Sequence, residues 1–321
     1  MEVAARVAVL GASGYAGGEL VRLLATHPVA EVTFLGASGS VGKTLAESHP
    51  HLVAWPGAEL ELRPMEAGVR VIDLGGDFRL PAEAYPTWYG FEHPSPAWPD
   101  KAVYGLPELF AERIAGADLV ANPGCYPTPV ILGLAPLLTA GLVEPAPVRV
   151  DGKTGLSGAG RNAGEAGAFA ATEESIRPYR VPGHQHIPEM ERGLELATGH
   201  PVPVLFVPHL VPAVRGVVTT AYAAAAAGVT AEALTECLSS AYAGRPFVRV
   251  LSVGGMVDSK RTRGTNVVEL QAFVDDRTGT AVVIGALDNL VKGAAGQAIQ
   301  NLNLLLGLPE DAGLPTLAVY P

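Results

Sequence analysis

Apolar positions along this chain recur in two ways. Short apolar or alternating runs bounded by Gly, Pro or charge mark strands, and spacings of three and four mark helices. Arg6-Val7-Ala8-Val9-Leu10 is a short strand, followed by a helix with Leu20, Leu23 and Leu24 on one face, which His27-Pro28 stops. Glu31 to Gly36 reads as a second strand, and Leu60 to Leu62 and Val69 to Leu74 as two more. The segment Pro81 to Pro107 is rich in Pro, Trp and Tyr and lacks periodicity, so an irregular cover is expected. Leu119-Val120-Ala121 ends another strand. Pro123-Gly124 turns the chain, and Val130, Ile131, Leu134, Leu137 and Leu138 then follow helical spacing. In the second half Arg149-Val150-Asp151 leads into a polar glycine loop, Lys153 to Arg161, and Val202 to Val207, Val217 to Ala223, Phe247 to Leu251, Asn266 to Phe273 and Ala281 to Ala286 read as strands. A helix at Ala231 to Tyr242 interrupts them, and a long one from Leu290 to Leu306 is expected to return to the first half. Strand–helix alternation followed by runs of strands predicts an α/β half and a second half with a mixed, largely antiparallel sheet.

One interval does not fit. Only Arg63 to Gly68 separates the strand at Leu60 from the strand at Val69, whereas a parallel crossover needs a dozen residues or more. Either these strands are not parallel neighbours or residues are absent between Met65 and Glu66. The second reading is favoured, because Glu66-Ala67-Gly68 has the texture of a helix tail without its body.

Composition narrows the class. A chain of 321 residues holds two domains or one large one, and 48% hydrophobic against 17% charged residues suits a globular enzyme with a substantial core. No apolar run is long enough for a membrane span, and nothing at the start marks secretion, so a cytoplasmic location is expected. Cys125 and Cys237 are too few for a disulfide framework or a Cys-rich zinc site. A net charge of −10 argues against a nucleic-acid surface.

The opening strand runs into Gly11-Ala12-Ser13-Gly14-Tyr15-Ala16-Gly17, a G-x-x-G-x-x-G turn between strand and helix. Such a turn brings backbone close to a pyrophosphate at the helix N-terminus, which points to a dinucleotide. The second strand ends in Gly36-Ala37-Ser38-Gly39-Ser40, with Lys43 nearby and no acid to grip a ribose 2′-hydroxyl. Ser38 and Ser40 tolerate a 2′-phosphate, so NADP is expected over NAD. Cys125 stands on a strand-to-helix bend, where backbone N–H groups and the helix dipole gather, and a lowered thiol pKa is expected there. Gly183-His184-Gln185-His186-Ile187-Pro188-Glu189 places two histidines and an acid together without a third strong ligand, so no metal is expected. One His pairs better with Cys125 as acid and base, with Glu189 orienting it. A thiolate, an imidazole and a dinucleotide site imply reduction of an acyl group through a thioester.

Gly11–Gly17, Asn122 to Thr128, Lys153 to Arg161, Gly183 to Glu189, Gly264-Thr265-Asn266 and Asp288 to Ala298 together resemble the N-acetyl-γ-glutamyl-phosphate reductase family of arginine biosynthesis, within the wider aspartate-semialdehyde dehydrogenase group. The matches run in order over nearly the whole chain. The resemblance implies a Rossmann-type NADP-binding domain (1–124 plus 289–321) joined to an α+β catalytic and dimerisation domain (125–288), assembled as a homodimer or homotetramer. It implies a small acyl phosphate as substrate. Cys125 would be the nucleophile and His186 the acid/base, because Glu189 lies one helical turn beyond it, with His184 supporting. Gly158 and Asn289 would contact the cofactor together with the Gly11–Gly17 residues Gly11, Ser13, Gly14, Tyr15, Ala16 and Gly17. Arg79, Arg161 and Asn122 are candidates for the substrate, since a guanidinium fork suits carboxylate or phosphate. Before Glu66 the family has a further strand and a Pro-His-Gly loop that this sequence lacks. The alternatives are the related reductase of carrier-linked aminoadipyl phosphate in lysine biosynthesis, aspartate-semialdehyde dehydrogenase, a Cys–His thiol hydrolase and a non-catalytic nucleotide sensor.

Overall fold

The fold is that of a computed structural model, which describes residues 5–37, 42–63, 70–160 and 169–320. Strand β1 (Ala5–Leu10) pairs in parallel with β2 (Ala30–Gly36), and the helix Tyr15–Leu24 connects them. That helix starts at Gly14, whose extended backbone caps it, and buries Val21, Leu23 and Leu24. The two-residue strand β3 (Leu62–Arg63) continues this ribbon beyond β2. A second ribbon consists of β4 (Val71–Asp73), β5 (Val103–Tyr104) and β6 (Leu119–Ala121), parallel and in the order β4-β6-β5. β5 and the helix Pro107–Ala115 that follows it were not expected from the pattern.

β3 and β4 belong to different ribbons and are not paired neighbours. Residues 64–69, where the short interval falls, lie outside the described residues. The edge of β1 faces the edge of β4 across an unpaired seam, lined by Ala8, Leu10, Arg70 and Ile72 among others. Strands in the middle of an α/β sheet are normally covered. Here every β4 residue is only half-buried, and Leu10 is 41% exposed.

The second half forms one seven-stranded sheet. Its order is β11 (Val248–Val250), β12 (Val268–Asp275), β13 (Thr280–Leu287), β10 (Val217–Ala224), β7 (Val148–Thr154), β9 (Val204–Leu210) and β8 (Arg177–Pro178). The β11/β12 and β7/β9 pairs are parallel and the other four antiparallel, as the mixed pattern predicted. Alternation sets the faces: Val148, Val150, Phe206, Ala221 and Val283 point to the core. The helices Pro127–Thr139 and Ala231–Ala241 cover that face. The first is apolar almost all round because it is enclosed by the sheet and by the helix His186–Thr198. On the opposite face Leu205 and Tyr222 are exposed.

The chain ends by crossing back. A π-helical turn, Val291–Ala295, leads into the helix Gly296–Leu305. Val291, Ala295 and Ile299 pack with β1 and β2, while Gln297 and Asn301 donate to the Gly105 carbonyl beside β5. The buried Lys292 ammonium donates to Glu108 Oε1 at 2.6 Å and Gln300 Oε1 at 2.7 Å. The last helix therefore joins both ribbons. Among the described residues no helix is long and apolar enough to cross a membrane.

Candidate active site

The glycine turn is built for close packing. A Cβ on Gly17 would lie 2.3 Å from the Gly11 carbonyl oxygen, so only glycine lets the helix start there. A cleft of about 450 Å³ runs from this turn to Cys125. Gly11, Gly14, Tyr15, Ala16 and Gly17 line one end, Gly158 and Asn289 the flank, and Cys125 and His186 the other end. Ser13, half-buried in the same turn, stands outside the lining. Asn289 is held by both ends of its amide: Oδ1 accepts from Gly216 N at 2.8 Å and Nδ2 donates to Ser157 Oγ at 2.9 Å. The glycine approach, the exposed turn and the length of the cleft fit a dinucleotide. Ser38, Ser40 and Arg161 lie outside the described residues.

Cys125 sits between β6 and the helix Pro127–Thr139. The bend is fixed by a buried carboxylate. Glu189 Oε1 accepts from Gly124 N at 2.7 Å and Tyr104 OH at 2.9 Å, and Oε2 accepts from Arg79 Nη1 at 3.2 Å. This corrects the role expected of Glu189. His186 Nε2 lies 3.9 Å from Glu189 Oε2, too far for a hydrogen bond, so the carboxylate grips the Cys turn rather than the imidazole. Arg79 lines the same cleft. Its Nε donates to Asn122 O at 2.8 Å and its Nη2 to Leu74 O at 3.0 Å, so protein contacts fix the guanidinium there while leaving part of its five-donor fork open. Asn122 is buried, donates to Ala294 O at 3.1 Å and accepts from Asn301 Nδ2 at 3.0 Å. It ties the Cys turn to the last helix.

His186 opens the helix His186–Thr198. A Cβ on Gly124 would stand 2.6 Å from His186 Nε2, so the imidazole lies directly against the backbone beside Cys125. Its Nδ1 is buried without a hydrogen-bond partner. His184 supports it: His184 Nδ1 accepts from His186 N at 3.1 Å, and its ring packs edge-on to Tyr126, Tyr179 and Phe206. From the other side Gly293 in the π turn presses on Cys125, where a Cβ would come within 2.7 Å of the Cys125 Cβ.

Electrostatics corrects a further expectation. Burial pushes the Cys125 thiol up to about 11; the Arg79 charge works against this and the Glu189 carboxylate with it. The helix N-terminus does not outweigh desolvation. Burial also holds His186 well below its ordinary range, helped by the Arg79 and Arg180 charges. Burial, with His186 and Arg180, brings His184 down to about 3. The resting pair is thus a neutral thiol beside a neutral imidazole.

A second cleft, of about 510 Å³, meets the first at Cys125, Gly158 and His186 and is lined further by Thr154, Tyr179 and Arg180. Sequence reasoning missed Tyr104, Gly293 and Arg180. Only Arg180 carried a signal, as the cation just before the Gly183-His184-Gln185-His186 run.

Comparison with known proteins agrees with this geometry. The family described as semialdehyde dehydrogenase, NAD binding domain, matches residues 6–62, and the semialdehyde dehydrogenase dimerisation domain matches residues 125–289. N-acetyl-γ-glutamyl-phosphate reductases of Symbiobacterium thermophilum, Thermus thermophilus and Magnetococcus marinus are 46%, 45% and 42% identical, each over 98% of this chain and 99% of the relative. These alignments run over 345, 348 and 346 positions, more than the 321 residues present here, so the relatives carry residues without counterparts. In fold the chain resembles aspartate semialdehyde dehydrogenase II of Vibrio cholerae complexed with ASA, with a TM-score of 0.68 at 18% identity over 94% of this chain and 98% of that one. The Candida albicans aspartate semialdehyde dehydrogenase with NADP gives a TM-score of 0.64 at 17% identity, over 97% and 98%. With relatives this similar aligned from end to end, the chain belongs to the N-acetyl-γ-glutamyl-phosphate reductase family.

Proposed function

We propose that this chain reduces N-acetyl-γ-glutamyl phosphate to N-acetylglutamate semialdehyde with NADPH, releasing phosphate, as a step of arginine biosynthesis. The observation that carries the reading is the shared wall of the two clefts. Cys125 and His186 stand where a cleft lined by a dinucleotide turn meets one lined by Thr154, Tyr179 and Arg180. The chain divides into a nucleotide-binding part, 1–124 plus 289–321, and a catalytic part, 125–288. The uncovered sheet face carrying Leu205 and Tyr222 suits self-association as a homodimer or homotetramer.

In the biosynthetic direction the Cys125 proton passes to His186, whose Nε2 lies against the backbone of Gly124 beside the thiol. Sulfur attacks the acyl carbon, the C–S bond forms, and the C–O bond to phosphate breaks. Gly11, Gly14, Tyr15, Ala16, Gly17, Gly158 and Asn289 would hold the dinucleotide, and the absence of an acid after the second strand, where the sequence has Ser38 and Ser40, favours NADP. When bound, NADPH supplies the hydride that converts the thioester to a hemithioacetal. His186 protonates the oxygen that gains charge, then helps the carbonyl re-form as sulfur leaves. Glu189, Arg79 and Tyr104 act by holding the turn. The raised thiol pKa keeps Cys125 protonated until His186 takes its proton, and it makes protonation of the departing sulfur part of the last step.

The test is a phosphate-dependent assay in reverse, with N-acetylglutamate semialdehyde and NADP, on wild type and Cys125→Ser. The variant should keep NADPH affinity and lose nearly all turnover, and His186→Asn should lose roughly 10²–10⁴-fold. A Cys125→Ser protein turning over at a near-normal rate would sink the thioester route.

A further inference from the structure

The turn that carries Cys125 is pressed from two sides, by the His186 imidazole against Gly124 and by the backbone of Gly293 against Cys125 itself. The reaction above uses the first. We propose that the second, the π-helical turn Val291–Ala295, is a stop that fixes where Cys125 stands at the end of the dinucleotide cleft, with Asn122 as the positioning residue that locks this turn to the nucleophile. This rests on the reaction proposed above and adds what holds its sulfur in place.

The turn is wide. Gly293 N donates to Asp288 O and Ala295 N to Leu290 O, each at 2.9 Å and each to the residue five back. One residue more than an α turn bulges the backbone, and such bulges are frequent at functional sites. Here the bulge bears on the nucleophile. A Cβ on Gly293 would come within 2.7 Å of the Cys125 Cβ and 3.2 Å of its Cα, atoms that no change of rotamer can move. Leu290, Gly293 and Ala294 also line the dinucleotide cleft, so one surface meets both the nucleophile and the cofactor's space. The turn is anchored in front and behind. In front, Asn122, three residues before Cys125, donates from Nδ2 to Ala294 O at 3.1 Å, while its Oδ1 accepts from Asn301 Nδ2 at 3.0 Å. Behind, Lys292 is buried on Glu108 and Gln300, and a Cβ on Gly296 would lie 2.4 Å from Asn266 Oδ1. The turn is thus wedged between Asn266 and Cys125, and retreat from the nucleophile is blocked. Such a stop matters because reacting groups misplaced by about 1 Å can lose roughly 10²-fold in rate.

The experiment loosens the stop from one side and pushes it from the other. Asn122→Ser removes the amide bridge to Ala294, and Gly293→Ala adds the Cβ that meets Cys125. In the phosphate- and NADP-dependent oxidation of N-acetylglutamate semialdehyde each should lower kcat by about 10- to 100-fold, and Asn122→Ser should leave the Kd for NADP nearly unchanged. Both act through one contact, and a loosened turn can absorb the added Cβ. The loss in the double variant should therefore fall well short of the product of the single losses. A second readout needs no turnover. A turn that packs less closely on Cys125 admits water beside the thiol, so iodoacetamide should modify Cys125 of Asn122→Ser at lower pH than in wild type. An Asn122→Ser protein that melts earlier but keeps wild-type kcat and the wild-type alkylation profile overturns the proposal and leaves Asn122 to the fold alone. If Asn122→Ser does not fold, a folded Gly293→Ala with wild-type kcat overturns it equally, and one with a lowered kcat upholds it. Losses that multiply in the double variant overturn the shared contact. A shifted alkylation profile in a protein whose wild type oxidises no semialdehyde upholds the placement of Cys125 and overturns the reaction.

Discussion

Cys125 sets a condition that its neighbours meet. A thiol titrating near 11 is almost entirely protonated at neutral pH, so its reactivity depends on a base at hand. His186 is such a base, because burial and two arginine charges keep it neutral. Gly124, the residue before Cys125, lets the imidazole approach, since any side chain at position 124 would meet it. The position of the nucleophile was legible from Pro123-Gly124-Cys125, and the burial that governs its ionisation was not. The groups packed at this turn, Gly293 against Cys125 and the His186 imidazole against Gly124, are distant in sequence. In the free protein, iodoacetamide should modify Cys125 slowly at pH 7, and the rate should climb through pH 9 toward 11. A rate that levels off at or below pH 8.5 would show that the thiol is not desolvated.

At the scale of elements, the nucleotide helix is clasped by a loop from the catalytic part. Arg215, between β9 and β10, donates to Glu19 Oε1 at 3.2 Å and Oε2 at 3.1 Å on the helix Tyr15–Leu24. It also lies 3.5 Å from Asp288 Oδ2, and the next residue, Gly216, holds Asn289. Burial alone would raise the Glu19 carboxyl, but the Arg22 and Arg215 hydrogen bonds outweigh it and bring it to about 2. The clasp therefore stays ionised at physiological pH and couples the glycine turn to the flank of the cleft. Arg215→Ala leaves a buried carboxylate with one half-exposed partner, Arg22. It should cost about 1–3 kcal/mol of stability and weaken NADPH binding more than it slows turnover. Thermal melting and NADPH titration read the two effects. Unchanged NADPH affinity would mean that the clasp serves the fold alone.

For the whole molecule, local pattern carried some features and long-range pairing the rest. β1, β2, β10 and β13 were readable because their apolar positions alternate or run unbroken between clear punctuation, whereas β7 carries Lys153 and Thr154 into what read as a polar loop. β5 and β8 were not, because two residues cannot carry a period. The interval after Leu62 was recognised as too short, and β3 and β4 stand in different ribbons. Arg79 and Asn122 stood out as substrate candidates by residue type alone. Which partners a guanidinium or an amide meets is decided by the fold, and here Glu189 holds the first and the last helix the second.

The seam between β1 and β4 bears on how the protein is made. With β1 and β4 unpaired among the described residues, the two ribbons are joined by the last helix, through Ile299 against the first and Asn301 and Lys292 against the second. The residues made first thus wait for some of the last. At 5–20 residues per second, the roughly 270 residues between them take about 15–55 s to emerge. Through that interval both strand edges and the apolar side of β1 face water or a chaperone, and unpaired edges invite pairing with other chains. Ribosome-bound chains halted before residue 290 should therefore be cut by protease within the first 75 residues, and chains halted well past 305 should resist. Equal resistance in both would mean that the first ribbons close without their C-terminal splint.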